Sequence, residues 1–590
     1  MQIAAGRSGW QVQWPLLAVL ALLAGVIGFL YVQTSQATSG GNAYVNDDTY
    51  IHMALARNLA QHGVWGITRY EFSGSSSSPL WTLLLAACYR LFGAGVLIPL
   101  VLNALLAGAV AAVTHQLLRR QGLEPPALRF VATAAVVFLA PVPLLVFCGM
   151  EHTLHVLLTL LLCYAAVREL SREGPYEGLP APSHEQPAST ESPALASGSP
   201  SYGTGLGGTA SHRATAYGAR VLLPVLAALC VMARLESLFL VAVLGLLCLA
   251  RRRWGLAVLL GIGAALPVVI YAAVSVAHGW MWLPNSVLVK GHGPRTDLLH
   301  YVVQLLGTGY GQTMSNPFVY AMLLGALAVL ALRLHRSAAL WTVPSLVLVL
   351  FLGGLVLHVH FAVIARSFLS RYEGYLVALG VLGFALSLTD RPAREPDTPQ
   401  AGLPARVVLA IALLAFAAPV VVRALRPYRQ VPILARNTYE QQVQMGRFLA
   451  AYWPGATVVA NDIGAINYLA DIRCLDIGGL GSLETGQRII RGEFTPGRLE
   501  ALARERHADI AVCFDSWLRA YAGGIPPSWR KMGGWTIQDN IVCADPTVSF
   551  YAIAAGADVR LMETLRRFSP QLPASVVQTG AYLGAPSPAQ

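Results

Sequence analysis

Asn46-Asp47-Asp48-Thr49-Tyr50-Ile51-His52 begins soon after residues 14–32, an apolar run of membrane-spanning length, and leads into a short segment that ends at Gly63. Within residues 48–61, Ile51, Leu55 and Leu59 recur at helical spacing, while His52, Arg57, Asn58 and Gln61 fall on other faces. Gly63 is a suitable helix stop. Such a helix is expected to lie flat on a bilayer. Its first turn exposes N–H groups and the positive end of the dipole, so one aspartate there reads as a cap. A cap needs only one acceptor, and the second carboxylate reads as the edge of an active site.

Composition sets the class. Of 590 residues, 55% are hydrophobic and 12% charged, far too apolar for an ordinary soluble protein. The formal charge of +11 comes from arginines at the ends of apolar runs, such as Arg119-Arg120 and Arg251-Arg252-Arg253. That placement follows the positive-inside rule and excludes a nucleic-acid patch. Of the eight cysteines, five lie in apolar runs, and none forms a zinc-spaced cluster.

Further spans are expected at 96–118, 130–147, 154–167, 221–233, 238–250, 256–276, 318–334, 340–357, 375–388 and 407–422. With the first they make about eleven, so the fold class is a mainly α, polytopic membrane protein. If residues 80–92 also crossed fully, the Arg251 cluster would fall on the side of the Asp pair, so that segment is expected to be interfacial or re-entrant. The cytoplasmic side then carries Arg7, Arg119, Arg168, Arg251, Arg333, Arg336, Arg391 and Arg394. The outer side carries the Asp pair, Gly149-Met150-Glu151-His152, Arg234 to Glu236, the loop around Lys290, residues 358–371 and the C-terminus.

The expected domains are a transmembrane unit, 1–427, and an extracytoplasmic α/β domain, 428–590. The first contains the outer loop 34–78 and a disordered cytoplasmic linker, 172–217, rich in Pro, Ser, Gly and Ala. In the second, residues 456–460, 473–477, 510–514 and 541–544 read as strands, and 439–451 and 496–505 as helices. Cys474, Cys513 and Cys543 read either as strand core or as holding one disulfide. The glycines of residues 476–481 miss dinucleotide-binding spacing, because Glu484 stands at the last position.

Asp47 and Asp48 are the first candidates for chemistry, with Glu151 and His152 in a turn on the same side. Two acidic sites facing one outer cavity suit general-base work on a hydroxyl. Arg234 and Glu236 interrupt apolar sequence, where unpaired charge is costly, so they are expected either to pair or to serve a polar pathway, with pairing favoured. Lys290 is one of two lysines in a chain that otherwise uses arginine, and its compact ammonium suits a phosphate; Arg366 and Arg371 suit the same task. His358 and His360 would share a face only in an extended segment, and are not taken as metal ligands.

Together these residues resemble a known pattern. The loop with Asp47-Asp48, the run Ala56 to Gly63, Ser78-Pro79-Leu80-Trp81-Thr82, Gly149-Met150-Glu151, Arg234-Leu235-Glu236, Pro284-Asn285 with Lys290, and Arg371-Tyr372 look like the GT-C glycosyltransferases. Bacterial cell-wall arabinofuranosyltransferases and related mannosyltransferases are the nearest in pattern, including an α/β tail that begins near Val459-Ala460-Asn461-Asp462-Ile463-Gly464-Ala465. Residues 69–78 depart from the family, with Ser-Gly-Ser-Ser where relatives often carry a longer Gly/Glu-containing stretch.

The resemblance implies transfer of arabinofuranose or a hexose such as mannose from a polyprenyl-phosphate donor to an envelope glycan, lipid or protein. Transfer would occur on the outer face of the inner membrane, with inversion. It implies Asp47 as base, Asp48 as orienting neighbour or cap, Glu151 as a wall touching the acceptor, and Lys290 and Arg371 as the phosphate clamp. His152, Arg234, Glu236 and Tyr372 are further substrate-binding candidates. Some relatives place a divalent cation, Mg or Mn, between an acidic pair and the phosphate; the residues leave this open. Competing readings are a flippase of lipid-linked sugars, which would predict internal repeats that are not seen, and a non-catalytic envelope assembly protein.

Overall fold

The computed structural model describes residues 9–171, 221–290, 317–337, 340–361, 371–388 and 420–584, with isolated positions between 407 and 418. The linker 172–217, Arg366 and most of the expected span at 407–422 lie outside the described residues.

The N-terminal part is helical: α1 Gly9–Ala37, α2 Asp48–His62, α3 Pro79–Phe92, α4 Ile98–Arg120, α5 Pro126–Leu139, α6 Val142–Cys148 and α7 His152–Leu170. It continues through α8 Val221–Ala233, α9 Ser237–Ala250, α10 Trp254–Ala277, α11 Asn285–Lys290, α12 Pro317–Ser337, α13 Val343–Phe361 and α14 Gly374–Ser387. Among the described residues, five helical segments are long and apolar enough to cross a membrane. Six shorter apolar helices accompany them. On α10 the residues Val258, Ile262, Leu266, Val269 and Ile270 remain exposed, as expected of a face that meets lipid chains. The chain is thus a polytopic membrane protein with a soluble α/β tail.

One expectation gains detail and one changes. The span expected at 130–147 lies within a single apolar stretch, Pro126–Cys148, long enough to cross, which is interrupted between α5 and α6 at Ala140-Pro141, where proline cannot donate to the helical ladder. The helix α2 does form and ends at Gly63 in the left-handed conformation, but it does not lie bare on a bilayer. Tyr50, Met53 and Ala54 pack into the helical bundle, while Ile51 and Leu55 enter the core of the tail domain. Its apolar spacing was read correctly, and a protein domain covers the face assigned to lipid.

The tail holds a six-stranded mixed sheet in the order β2-β1-β3-β5-β4-β6, with β1 Thr457–Ala460, β2 Arg473–Asp476, β3 Ile510–Cys513, β4 Arg530–Thr536, β5 Thr547–Ala552 and β6 Val577–Gly580. β1 pairs parallel to β2 and β3, and the remaining pairs are antiparallel. Phe448, Trp535, Phe550 and Phe568 fill one face, and Leu499, Leu502, Leu518 and Trp529 the other.

Residues 541–544, expected as a strand, form part of the loop between β4 and β5. Asn540 there donates to the Cys543 carbonyl and accepts from its amide, and Asn437 accepts from the Ile541 amide, so side chains take the groups a ladder would need. β4, β5 and β6 were not anticipated. All eight cysteines are free thiols, and Cys474, Cys513 and Cys543 are buried.

The two parts share their packing at the boundary. α15 Val431–Thr438 sends Val431, Leu434 and Ala435 into the bundle core, as α17 Ala465–Leu469 does with Ala465 and Tyr468; α16, Gln444–Tyr452, lies between them in the chain.

Candidate active site

The site begins at the two ends of α2. Asp47 precedes the helix, but its side chain makes no capping bond to it. Its carboxylate accepts from the backbone amides of Gly464 at 2.7 Å and Ala465 at 2.8 Å, and so caps α17, over 400 residues away. Near the far end, Arg57 donates to the carbonyls of Tyr468 at 2.5 Å and Asn467 at 3.1 Å. The acid thus meets the N-terminus of α17 and the base its C-terminal carbonyls, the favourable sense for both charges. A Cβ on Gly464 would lie 2.1 Å from the Asp47 carbonyl, so only glycine permits this contact. Further bonds from Ser75 to the Leu480 carbonyl and from Asn285 to the Gly479 carbonyl hold the tail against the loop before α3 and the start of α11.

Asp48 points elsewhere. Its carboxylate pairs with Arg371 at 2.9 Å; the Arg371 side chain is 7% exposed and that of Asp48 31%. Arg371 also donates to the Tyr372 hydroxyl at 2.9 Å. The Tyr372 ring centroid lies 4.8 Å from the Arg371 guanidinium and 5.0 Å from that of Arg234, so one aromatic ring adjoins two cationic groups. His152 meets the same ring edge-on, with both ring nitrogens buried and without a hydrogen-bond partner among the described residues.

Arg234 is held on two sides. It bonds Glu151 at 2.5 Å and forks onto both oxygens of Glu236 at 3.0 and 2.5 Å. The sequence expectation of pairing between Arg234 and Glu236 therefore holds, with Glu151 as a second partner. Bidentate geometry makes this burial tolerable, because each charge keeps strong hydrogen bonds in place of water.

The structure thus gathers Asp48, Glu151, His152, Arg234, Glu236, Arg371 and Tyr372 into one connected cluster, with Asp47 beside it and turned to the tail. Lys290 ends α11; its side chain lies outside the described residues. His358 is on helix α13 and bonds the Tyr375 hydroxyl at 3.1 Å.

Sequence reading missed two residues. His52 lies one helical turn beyond Asp48 on α2, a spacing that could have exposed it. Asp462, from the tail, accepts from Gln442 at 2.7 Å, and no local signal placed it beside the first loop.

Burial lifts Asp462 to about 6, despite hydrogen bonds from Gln442 and Asn461, and Asp48 adds to the rise. Burial, followed by the charge of Asp462, lifts Asp47 well above the ordinary carboxylate range, against the lowering by the two amides. Over the interval from the ordinary aspartate value to about 6, Asp462 holds more proton in the folded chain than in the unfolded one, so its own contribution to stability falls as pH rises. Asp462→Asn should remove this contribution: the Tm of the detergent-solubilised variant, taken relative to wild type at each pH, should rise between about pH 4.5 and about pH 6.5.

The acids do not make a ready cation site. Asp47 is engaged by amides and Asp48 by a guanidinium, and the described residues contain no group of three His, Cys, Asp or Glu side chains placed to hold a metal.

Residues 431–551 match a family model described as a domain of unknown function, DUF8728. No curated protein matches the sequence. Solved structures similar to this chain include ArnT from Cupriavidus metallidurans bound to undecaprenyl phosphate, at 15% identity and a TM-score of 0.47, covering 94% of this chain and 99% of that one. The apo oligosaccharyltransferase of Archaeoglobus fulgidus matches at 13% identity and a TM-score of 0.46, covering 97% and 76% respectively. The mycobacterial arabinofuranosyltransferase AftD, as its R1389S mutant, matches at 14% identity and a TM-score of 0.38, covering 91% and 42%.

Proposed function

We propose that this protein is a glycosyltransferase of the inner membrane that moves a sugar from a polyprenyl-phosphate donor to an envelope acceptor on the outer face, with inversion and Asp48 as general base. The observation that carries the reading is the pairing of a partly exposed carboxylate, Asp48, with a buried guanidinium, Arg371, in one cluster with Arg234 and Tyr372. The reaction needs these two elements. A lipid phosphate is already a competent leaving group, so no general acid is required. A base must take the proton of the acceptor hydroxyl, and fixed positive charge must receive the departing phosphate.

Asp47 stands first in the family pattern, but both its oxygens already accept backbone amides. Asp48 is therefore assigned the proton transfer and Asp47 the task of holding the tail against the loop. Arg371, with Lys290, is assigned to the phosphate. The order of the motifs along the chain supports the same class, with arabinofuranose and mannose the leading sugars.

The test uses the purified full chain in detergent with radiolabelled polyprenyl-phosphate pentoses and hexoses, together with envelope extracts as acceptor. Transfer from at least one donor is expected. Binding of no donor would overturn the reading, and movement of a lipid-linked sugar across vesicles without transfer would replace it with a flippase.

A further inference from the structure

Glu151 is wholly buried, and only one of its oxygens is satisfied. Oε1 bonds Arg234, while Oε2 has no hydrogen-bond partner among the described protein atoms. A buried carboxylate oxygen without a donor is costly, so its persistence points to a group that completes it. Facing it at 3.7 Å is Nε2 of His52, beyond hydrogen-bond range.

The His52 ring is fixed from behind. Its Nδ1 lies 3.1 Å from the Thr82 hydroxyl, which lies 3.0 Å from that of Ser76, and both hydroxyl-bearing residues are fully buried. Ser77 Oγ lies 3.5 Å from Nε2, on the side of the outer loop. Burial lowers the His52 pKa below its ordinary value even though Glu151 raises it, so the ring is neutral near pH 7.

The chemistry of a completing group follows. An anion is opposed by Glu151 and a cation by Arg234. A hydroxyl meets the demand, because it donates to Oε2 and accepts from Nε2–H in the tautomer that Thr82 supports when its hydroxyl donates to Nδ1.

We propose that His52 and Glu151 form a slot for one sugar hydroxyl, with Thr82 positioning the imidazole. The slot rests on the glycosyltransferase reading and adds to it the group by which the sugar itself is recognised. The hydroxyl belongs either to the sugar on the donor or to the acceptor sugar, and two classes of probe separate these sources.

Dissociation constants would be measured on the full chain in detergent for farnesyl phosphate, for farnesyl-phosphate pentoses and hexoses, and for octyl glycosides of the same sugars. His52→Ala and Thr82→Val are expected to weaken one class of sugar-bearing probe about tenfold or more and to leave farnesyl phosphate unchanged. Thr82→Ser should restore the affinity, which a purely steric role of Thr82 would not predict.

Weakening of the farnesyl-phosphate sugars assigns the slot to the donor, and weakening of the glycosides to the acceptor. Folded variants that bind every probe as wild type does would overturn the slot and leave the glycosyltransferase reading standing. Wild-type protein that binds none of the probes would overturn both. His52→Asn, which keeps a polar group of similar reach, provides a second reading should His52→Ala fail to fold.

Discussion

Asp48→Asn is expected to lower sugar transfer by about a thousandfold while the donor dissociation constant stays within about threefold of wild type, the range set by loss of a general base. The asparagine keeps the size of the side chain and an oxygen that Arg371 can still reach, so the cluster should stay folded. What it removes is the basic oxygen for the acceptor proton. Asp47→Asn should behave differently: one of its two amide contacts can persist, and transfer should fall by no more than about tenfold, the equivalent of one ordinary hydrogen bond. Single-turnover transfer and equilibrium donor binding measured on both variants separate the roles. The opposite ranking would return the base to Asp47 and make Asp48 the anchor of Arg371.

The largest effect on stability is expected at Arg234. Arg234→Met leaves Glu151 and Glu236 without their cation inside the bundle, and unpaired buried charge of this kind costs about 3–5 kcal/mol. Thermal unfolding in detergent should show the loss directly. The triple variant Arg234→Met, Glu151→Leu, Glu236→Met should recover most of that stability, because apolar groups of similar volume replace a buried ionic cluster at little net cost. It should remain inactive. Stability without activity would place these charges at the substrate, whereas failure of the triple variant to recover would mean that the cluster also specifies how α7, α8 and α9 pack.

How much of the site could be read in the chain depends on the kind of signal. Arg234 and Glu236 stand in apolar sequence, where cost alone demands a partner, and they are two residues apart; their pairing was legible. That Glu151 is a second partner was not, since the connection spans 83 positions and carries no local mark. Asp47 shows the same limit more sharply. Its place at the head of the loop suggested a base, but its carboxylate caps α17, an element no local signal brings there. His52 was passed over because one polar residue on a helix is usually a solvated one, whereas here Thr82, Ser77 and Glu151 surround the ring and it is buried.

Composition and periodicity, by themselves, determined that this chain is a polytopic membrane protein, where the loop after its first apolar helix begins, and that an α/β domain follows the helical part. These follow from local quantities: the length of apolar runs, helical spacing and the placing of arginines. Tertiary structure alone decided which carboxylate is tethered and which is partly exposed, and that α2 is covered by protein instead of lipid. The physical reason is that a carboxylate's role depends on the donors around it, and those donors arrive from Gly464, Ala465 and Arg371, hundreds of residues away.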